Sequence, residues 1–428
     1  MTGKLLQEWT ARDGQFAHGA SHVKELIPAT TIECPKCGLI QHCGVRTAGE
    51  KVTCCRCLTP LSHPAVKSLD ATLACTIALL LLLIPTLFAP FMTSSIFDAT
   101  RTSYLVLSGL PLWQEGWPLL GIGVFLCIVM FPVLRYASLA AVLIMIRMRR
   151  KPRWLGPVFR VSNALQPWAM LDVFLLGVTV AYARLHASLL VTVDVGMWCF
   201  VAAAILTLVT RAALDTSRAW QLIKTDFYCG DGRAAIACAS CGYWMPQEQE
   251  GCRCARCSAI VRRRARFSIS RSSALLVAAV LLYFPANLYP IATIPIDFKP
   301  TAYTVLGGVI DLAESRLLGL AILVFLASFT IPILKMAGLT WCVASTLQKS
   351  KKHLVAKTRI YRLVEEIGRW SMVDPLTIAC FVPLLHFNGL VNGRAEAAAT
   401  PFAGVVILTT LAVQFFDPRL MWDAATRS

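Results

Sequence analysis

Charge is scarce in this chain, and acidic charge is scarcer still. Only 15% of its 428 residues are Asp, Glu, Lys or Arg, against about 25% in an average soluble domain. Together with 56% hydrophobic residues, that shortage excludes an ordinary soluble protein and points to a membrane class. Acids number 24 against 41 basic residues, a formal charge of +17. The first 68 residues hold no apolar core of the kind an export signal needs. There is no G-x-x-x-x-G-K-[ST] phosphate loop, so an ATPase is not expected. G-x-S-x-G and H-E-x-x-H are missing too, and no histidine pair is spaced to hold haem within a span. His186 and His386 stand alone near span ends, as interfacial residues. With no catalytic constellation in sight, a non-enzyme is expected.

Cysteine is in excess. Seventeen is an odd number, and five of them (Cys75, Cys127, Cys199, Cys342, Cys380) lie inside apolar runs. That is not a secreted disulfide framework; it reads as metal ligation in a reducing compartment. Cys34-Pro-Lys-Cys37 is followed after sixteen residues by Cys54-Cys55-Arg-Cys57, and Cys238-Ala-Ser-Cys241 after twelve by Cys254-Ala-Arg-Cys257. Two such pairs place four thiolates around one tetrahedral ion. Zinc suits a closed thiolate shell, and iron is the alternative. The expected ligands are Cys34, Cys37, Cys54 and Cys57, then Cys238, Cys241, Cys254 and Cys257. Cys55 and Cys252 sit beside them as competitors. The plainest role is structural, because ribbons this small hold no core of their own.

Eight apolar runs follow the ribbons, at about 69–92, 118–147, 164–187, 190–211, 272–292, 317–347, 366–388 and 400–416. Most are near the roughly 20 residues a spanning helix needs. The halves match as copies. Pro90 matches Pro290, Pro132 matches Pro332, Trp168-Ala-Met-Leu-Asp172 matches Trp370-Ser-Met-Val-Asp374, and Asp215 and Trp220 match Asp417 and Trp422. The expected architecture is an α-helical polytopic membrane protein of two parallel repeats, each a small zinc ribbon with short β-structure plus a four-helix bundle. The divisions are a tail (1–30), ribbon 1 (31–63), bundle 1 (69–222), ribbon 2 (234–262) and bundle 2 (270–424). The links 93–117 and 293–316 read as short amphipathic or re-entrant pieces.

Basic residues fix the expected orientation. Arg147, Arg149, Arg150, Lys151, Arg153 and Arg160 fill one loop; Lys349, Lys351, Lys352, Lys357, Arg359 and Arg362 fill its match. Arg262, Arg263, Arg264, Arg266 and Arg271 lie between the halves, and the alternate loops are poor in base. Positive loops face the cytoplasm, which places both termini and both ribbons there. The charge is thereby accounted for without nucleic acid.

Ionisable residues inside spans are costly and usually functional. Lys335 lies about twelve residues, or roughly 18 Å, inside the sixth run, and Asp374 about eight residues, or roughly 12 Å, inside the seventh. Thr409 falls at a similar level, and Ser328 lies two turns along the Lys335 face. The first copy places Arg135, Asp172 and Thr207 at the matching positions. Arginine stays charged, whereas a desolvated lysine titrates. The second bundle is therefore expected to hold a proton-coupled site, Lys335 with Asp374, and the first a permanent ion pair. The competing reading makes both pairs packing clamps.

Several of these residues are carried by one family. The paired ribbons, Pro285-Ala-Asn-Leu-Tyr-Pro290, Gly368-Arg-Trp-Ser-Met372 followed by Asp374, and Asp417-Pro-Arg-Leu followed by Trp422-Asp423 resemble the paraquat-inducible protein A family, including its lipophilic envelope-spanning tunnel protein A branch. The resemblance covers nearly the whole chain. It implies a Gram-negative inner-membrane protein that works with a periplasmic mammalian-cell-entry (MCE) tunnel protein. It implies the movement of phospholipid or a similar lipid between that membrane and the tunnel. It also implies a polar site at Ser328, Lys335, Asp374 and Thr409. The alternatives are an adaptor that anchors and gates the tunnel, or a thiol-based redox or metal sensor.

Overall fold

The protein is described by a computed structural model, which covers residues 26–27, 30–43, 46–47, 52–62, 69–96, 99–114, 116–186, 190–224, 235–296, 299–314, 318–368, 386–387, 391–392 and 394–426. Helices dominate. The first half holds α1 (Leu69–Phe88), α2 (Pro118–Arg147), α3 (Leu155–Ala164), α4 (Leu171–His186), α5 (Val195–Ala213) and α6 (Thr216–Ile223). The second half holds α7 (Ser268–Leu288), α8 (Val305–Glu314), α9 (Leu318–Leu347), α10 (Leu354–Ile367), α11 (Ala399–Phe415) and α12 (Arg419–Thr426).

Among the described residues, α1, α2, α5, α7 and α9 are long and apolar enough to cross a membrane. The pair α11 and α12, bent by 48°, makes a sixth candidate. Helix α4 is apolar but shorter; it begins at Leu171 rather than near 164, because the chain turns over 165–170. The seventh expected span, 366–388, falls largely outside the described residues.

The span surfaces follow from residue spacing. On α1 a stripe of Thr72, Thr76, Leu79, Leu83, Thr86 and Leu87 is buried. Leu81, Ile84 and Phe88 point outward, Leu81 at 63% exposure. An apolar face this continuous belongs against lipid tails rather than water. The buried stripe meets α5, where Thr72 Oγ1 donates to the Ala213 carbonyl at 3.2 Å. In the second half, α7 meets α11 in the same way: Ser268 donates to Phe415 O at 2.8 Å and Ser272 to Ala412 O at 2.9 Å. Small hydroxyl residues let helices approach closely and supply hydrogen bonds where hydrophobic burial drives nothing.

Helices α2 and α9 span 30 residues each, about 45 Å against a hydrocarbon core of about 30 Å, a length that requires tilt or projection. Each contains one π turn, Leu126–Met130 and Leu326–Thr330, just ahead of Pro132 and Pro332. Proline has no N–H to give the carbonyl four residues back. The widened turn redirects the ladder: Phe131 N–H reaches Leu126 O and Ile331 N–H reaches Leu326 O.

The links between first and second spans differ from expectation. Met92–Ile96 and Ala99–Ser103 form a hairpin, and Leu190–Val193 adds a third antiparallel strand. Ala292–Ile296, Lys299–Tyr303 and Arg394–Ala395 build the matching sheet. Short helices at Leu110–Gln114 and α8 come only after the hairpins. Segment 190–193, expected as the start of a span, is thus a strand. These sheets lie at the end of the helices opposite the ribbons.

Candidate metal centres and bundle polar sites

Each cysteine pair sits in the same turn. Cys34 N–H donates to Leu39 O and Gly38 N–H to Cys34 O, both at 2.9 Å. Cys54 with Thr59 and Leu58, Cys238 with Tyr243 and Gly242, and Cys254 with Ala259 and Ser258 repeat the pattern at 2.7–2.9 Å. The residue after each second cysteine is left-handed, with φ +71 at Gly38, 59 at Leu58, 70 at Gly242 and 56 at Ser258. This geometry turns backbone amides and both sulfurs of a pair towards one point.

Cys34, Cys37, Cys54 and Cys57 bring their sulfurs within 4.8 Å of one another, and so do Cys238, Cys241, Cys254 and Cys257. Close sulfur pairs measure 3.5 Å in the first cluster (Cys34–Cys57, Cys37–Cys54) and 3.6 Å in the second (Cys238–Cys257, Cys241–Cys254). A tetrahedral ion with metal–sulfur bonds near 2.3 Å sets sulfurs about 3.8 Å apart, so the donor set fits a metal. All eight thiols are buried. The Cys34 thiol is lowered to about 5 by its hydrogen bond from Cys37, and that of Cys238 to about 7 by the one from Cys241. The same contacts raise Cys37 and Cys241, so each cluster shares its protons unevenly, with one thiol of each bonded pair favoured as thiolate. Cys55 and Cys252 are exposed and outside both clusters, Cys55 Sγ instead donating to Gln41 Oε1 at 3.4 Å.

The ribbons dock crosswise, which sequence reasoning missed. Ribbon 1 precedes the first bundle but rests on the second. Its cysteines belong to one continuous buried apolar cluster with Leu276, Met336, Tyr361 and Trp422. Lys36 Nζ meets Glu365 Oε2 at 2.5 Å, Arg419 Nη1 meets Glu33 Oε1 at 3.2 Å, and Arg56 stacks 4.4 Å from the Trp422 ring centre. Asp417 ties Arg419 at 3.1 Å, and Asp423 ties Arg264 at 2.5 Å. Holding its guanidinium, Asp423 raises the pKa of Arg264. Ribbon 2 precedes the second bundle but rests on the first. Arg256 donates to the Lys224 carbonyl at 2.5 Å, and Gly156 of α3 lies directly under the Arg256 carbonyl. The ribbons also touch each other, Trp244 Nε1 donating to Thr31 O at 3.0 Å. One expected loop cation, Lys357, is buried; it donates to Ser345 at 2.5 Å and Ser350 at 3.3 Å, and desolvation lowers its pKa.

In the second bundle, Lys335 is 2% exposed. Its Nζ donates to the Gly368 carbonyl and to Thr410 Oγ1, each at 3.3 Å. The hydroxyl at the amine is thus that of Thr410; Thr409 Oγ1 turns back to Val406 O at 3.1 Å. Ser328 is fully buried in the π turn and bonds Val324 O at 2.7 Å. Asp374 lies outside the described residues.

In the first bundle, the expected pairing of Arg135 with Asp172 is replaced. Arg211 Nη1 binds Asp172 Oδ2 at 3.0 Å, and Arg135 instead faces Tyr136. Arg211, at the end of α5, reaches the carboxylate first. The signal was its missing counterpart: Val413 stands where the second copy would carry a match. Thr207 is buried and bonds Ala203 O at 2.9 Å.

Relatives share this chain nearly end to end. Lipophilic envelope-spanning tunnel protein A of Escherichia coli (strain K12) is 30% identical over 396 residues, 91% of each chain. Intermembrane transport protein PqiA of the same strain is 30% identical over 418 residues, 94% of this chain and 97% of that one. A probable intermembrane transport protein of Haemophilus influenzae is 26% identical over 421 residues, with the same shares. No solved structure matches. The family model described as paraquat-inducible protein A matches twice, over residues 69–224 and 269–426, one match to each set of helices, and the chain belongs to that family.

Proposed function

We propose that this chain is the inner-membrane subunit of an intermembrane lipid-transport system, passing phospholipid or a similar lipid between that membrane and a periplasmic tunnel formed by an MCE-domain partner. Relatives named for intermembrane transport and for an envelope-spanning tunnel support the reading. In this reading segment 366–388 completes eight spans, four to a copy, with the ribbons, termini and basic loops cytoplasmic. The contact between the two ribbons supports a common orientation for both copies. Each ribbon holds one zinc ion through its four cysteines. A closed thiolate shell has no open position for substrate, so the metal's contribution is to fold the ribbon.

The observation that carries a transport mechanism is Lys335, sealed inside a span against a carbonyl and a hydroxyl. A lysine there can take up and release a proton, which an arginine cannot. Asp374 is its proposed acidic partner, and Thr410 and Ser328 line the same path. The matching ion pair of the first bundle has its own fixed cation, Arg211, so the two bundles work unequally.

The test is lipid transfer from proteoliposomes holding this chain and its partner. Lys335→Arg and Asp374→Asn are each expected to slow transfer at least tenfold, about 1.4 kcal/mol of barrier, without loss of partner binding. Wild-type rates for Lys335→Arg at every pH would end the proton reading. Wild-type rates for Lys335→Met and Asp374→Asn together would leave only an adaptor that anchors the tunnel.

A further inference from the structure

The first bundle holds a cation that its surroundings do not neutralise. Arg135 lies in α2, beside α3, and is 3% exposed. Its position is fixed, because the Ser138 and Ser162 hydroxyls both donate to its carbonyl, at 2.8 and 3.2 Å. Its guanidinium makes one long hydrogen bond, Nη1 to the Tyr136 hydroxyl at 3.4 Å, and stands 5.0 Å from that ring's centre. A guanidinium offers five N–H donors, so most of them have no acceptor among the described residues.

The charges do not balance either. Among the described residues, Arg211 and Asp172 are ionised neighbours of Arg135, and the rings of Phe131 and Trp168, each one turn before Arg135 and Asp172, meet at 6.2 Å. Asp172 Oδ2 is already held by Arg211 at 3.0 Å. Two guanidinium groups thus share one carboxylate, and neither can shed its proton. Arg211 and Asp172 keep 22% and 21% of their side-chain surface exposed, but Arg135 is buried, and a buried cation without an anion of its own is strongly destabilising. The orphans are of both kinds: among the described residues, Asp172 Oδ1 is a buried acceptor without a donor, and Thr210 Oγ1, next to Arg211 in the chain, is also unpartnered. A ligand that satisfies this set must carry negative charge, which water does not, accept from a planar fork and also donate a hydrogen bond. Chloride and carboxylate only accept. A phosphate bearing a P–OH does both, as does a phosphodiester headgroup carrying an amine or hydroxyl.

We infer that Arg135, Arg211 and Asp172 form a binding site for one phosphate group, borne by a lipid headgroup or free, with Arg135 as the principal phosphate ligand and Asp172 Oδ1 as the acceptor for its donor. The site is separate from Lys335 and independent of the transport reading. The second copy lacks the second guanidinium, since Val413 stands at the position of Arg211.

Native mass spectrometry and thermal unfolding of the full chain test this. If the source is a headgroup, wild-type protein retains one phospholipid and prefers phosphatidylethanolamine or phosphatidylglycerol over phosphatidylcholine, which has no donor, by about tenfold or more. Arg135→Gln then loses that lipid. If the source is free, inorganic phosphate raises the wild-type midpoint relative to chloride at matched ionic strength, and Arg135→Gln abolishes the shift. Should Arg135→Gln not fold, Arg211→Gln serves instead: it lets Asp172 neutralise Arg135, and is expected to fold and to lose the phosphate. A folded Arg135→Gln or Arg211→Gln with wild-type lipid content and wild-type phosphate response overturns the inference.

Discussion

Serine in place of both Cys54 and Cys57 is expected to loosen the second membrane bundle and spare the first. The double change removes two of the four thiols of the first cluster, which would hold the proposed metal. A structural metal in so small a fold is worth about 10–16 kcal/mol, as much as the whole net stability of a typical domain, about 5–15 kcal/mol. Ribbon 1 should therefore unfold outright. Its docking contacts go with it: Lys36 to Glu365, Glu33 to Arg419, Arg362 to the Leu58 carbonyl, and Arg56 over Trp422. Glu365 and Trp422 lie on α10 and α12, which belong to the second half. Hydrogen exchange should rise in residues 354–367 and 419–426, and stay near wild type in 155–164 and 216–223. Cys254→Ser with Cys257→Ser should do the reverse, because ribbon 2 rests on Lys224 and α3. Metal content measured on the same samples should fall by one ion per chain in each variant. Exchange that rises in α6 when only ribbon 1 is broken would contradict the crossed docking.

That crossing was invisible in the sequence for a physical reason. The cysteine spacing encodes a local turn, and all four turns formed as local geometry requires. Apolar runs encode spans because lipid leaves little choice, and proline at 132 and 332 marks helices that must widen nearby. Nothing local says which bundle a ribbon will rest on. Lys36 and Glu365 are ordinary surface charges in sequence, 329 residues apart, and become specific only once both halves are packed. The hairpins were missed for a related reason. Met92-Thr-Ser-Ser-Ile and Ala99-Thr-Arg-Thr-Ser are short and polar, and their pairing depends on a third strand about a hundred residues away. Burial of Lys335 was legible, because an ionisable residue inside an apolar helical run needs partners within the protein. Rotation about the axis was not, and one step of it put Thr410 rather than Thr409 at the amine.

Gly156→Ala should be the most damaging single-methyl change in the first half. A Cβ at Gly156 would stand 1.8 Å from the Arg256 carbonyl oxygen and 2.9 Å from its carbonyl carbon. Both are backbone atoms of the second ribbon, two residues from Cys254 and one from Cys257, so no side chain can swing aside. Either α3 or the whole ribbon must move by more than an ångström. Overpacking of this kind costs about 3 kcal/mol or more, and here the strain falls on the turn that carries Cys254 and Cys257, two of the four clustered thiols. The expected result is a lower unfolding midpoint together with earlier release of the ion from ribbon 2, followed with a metal-sensitive dye, while ribbon 1 keeps its ion. Gly123→Ala is the matched control. Gly123 is also helical, but nothing lies within 4 Å of its missing methyl. Alanine there should be neutral or stabilising by about 0.5–1 kcal/mol through helix propensity alone. Equal behaviour of the two variants would mean that ribbon 2 does not sit on α3 in the folded protein.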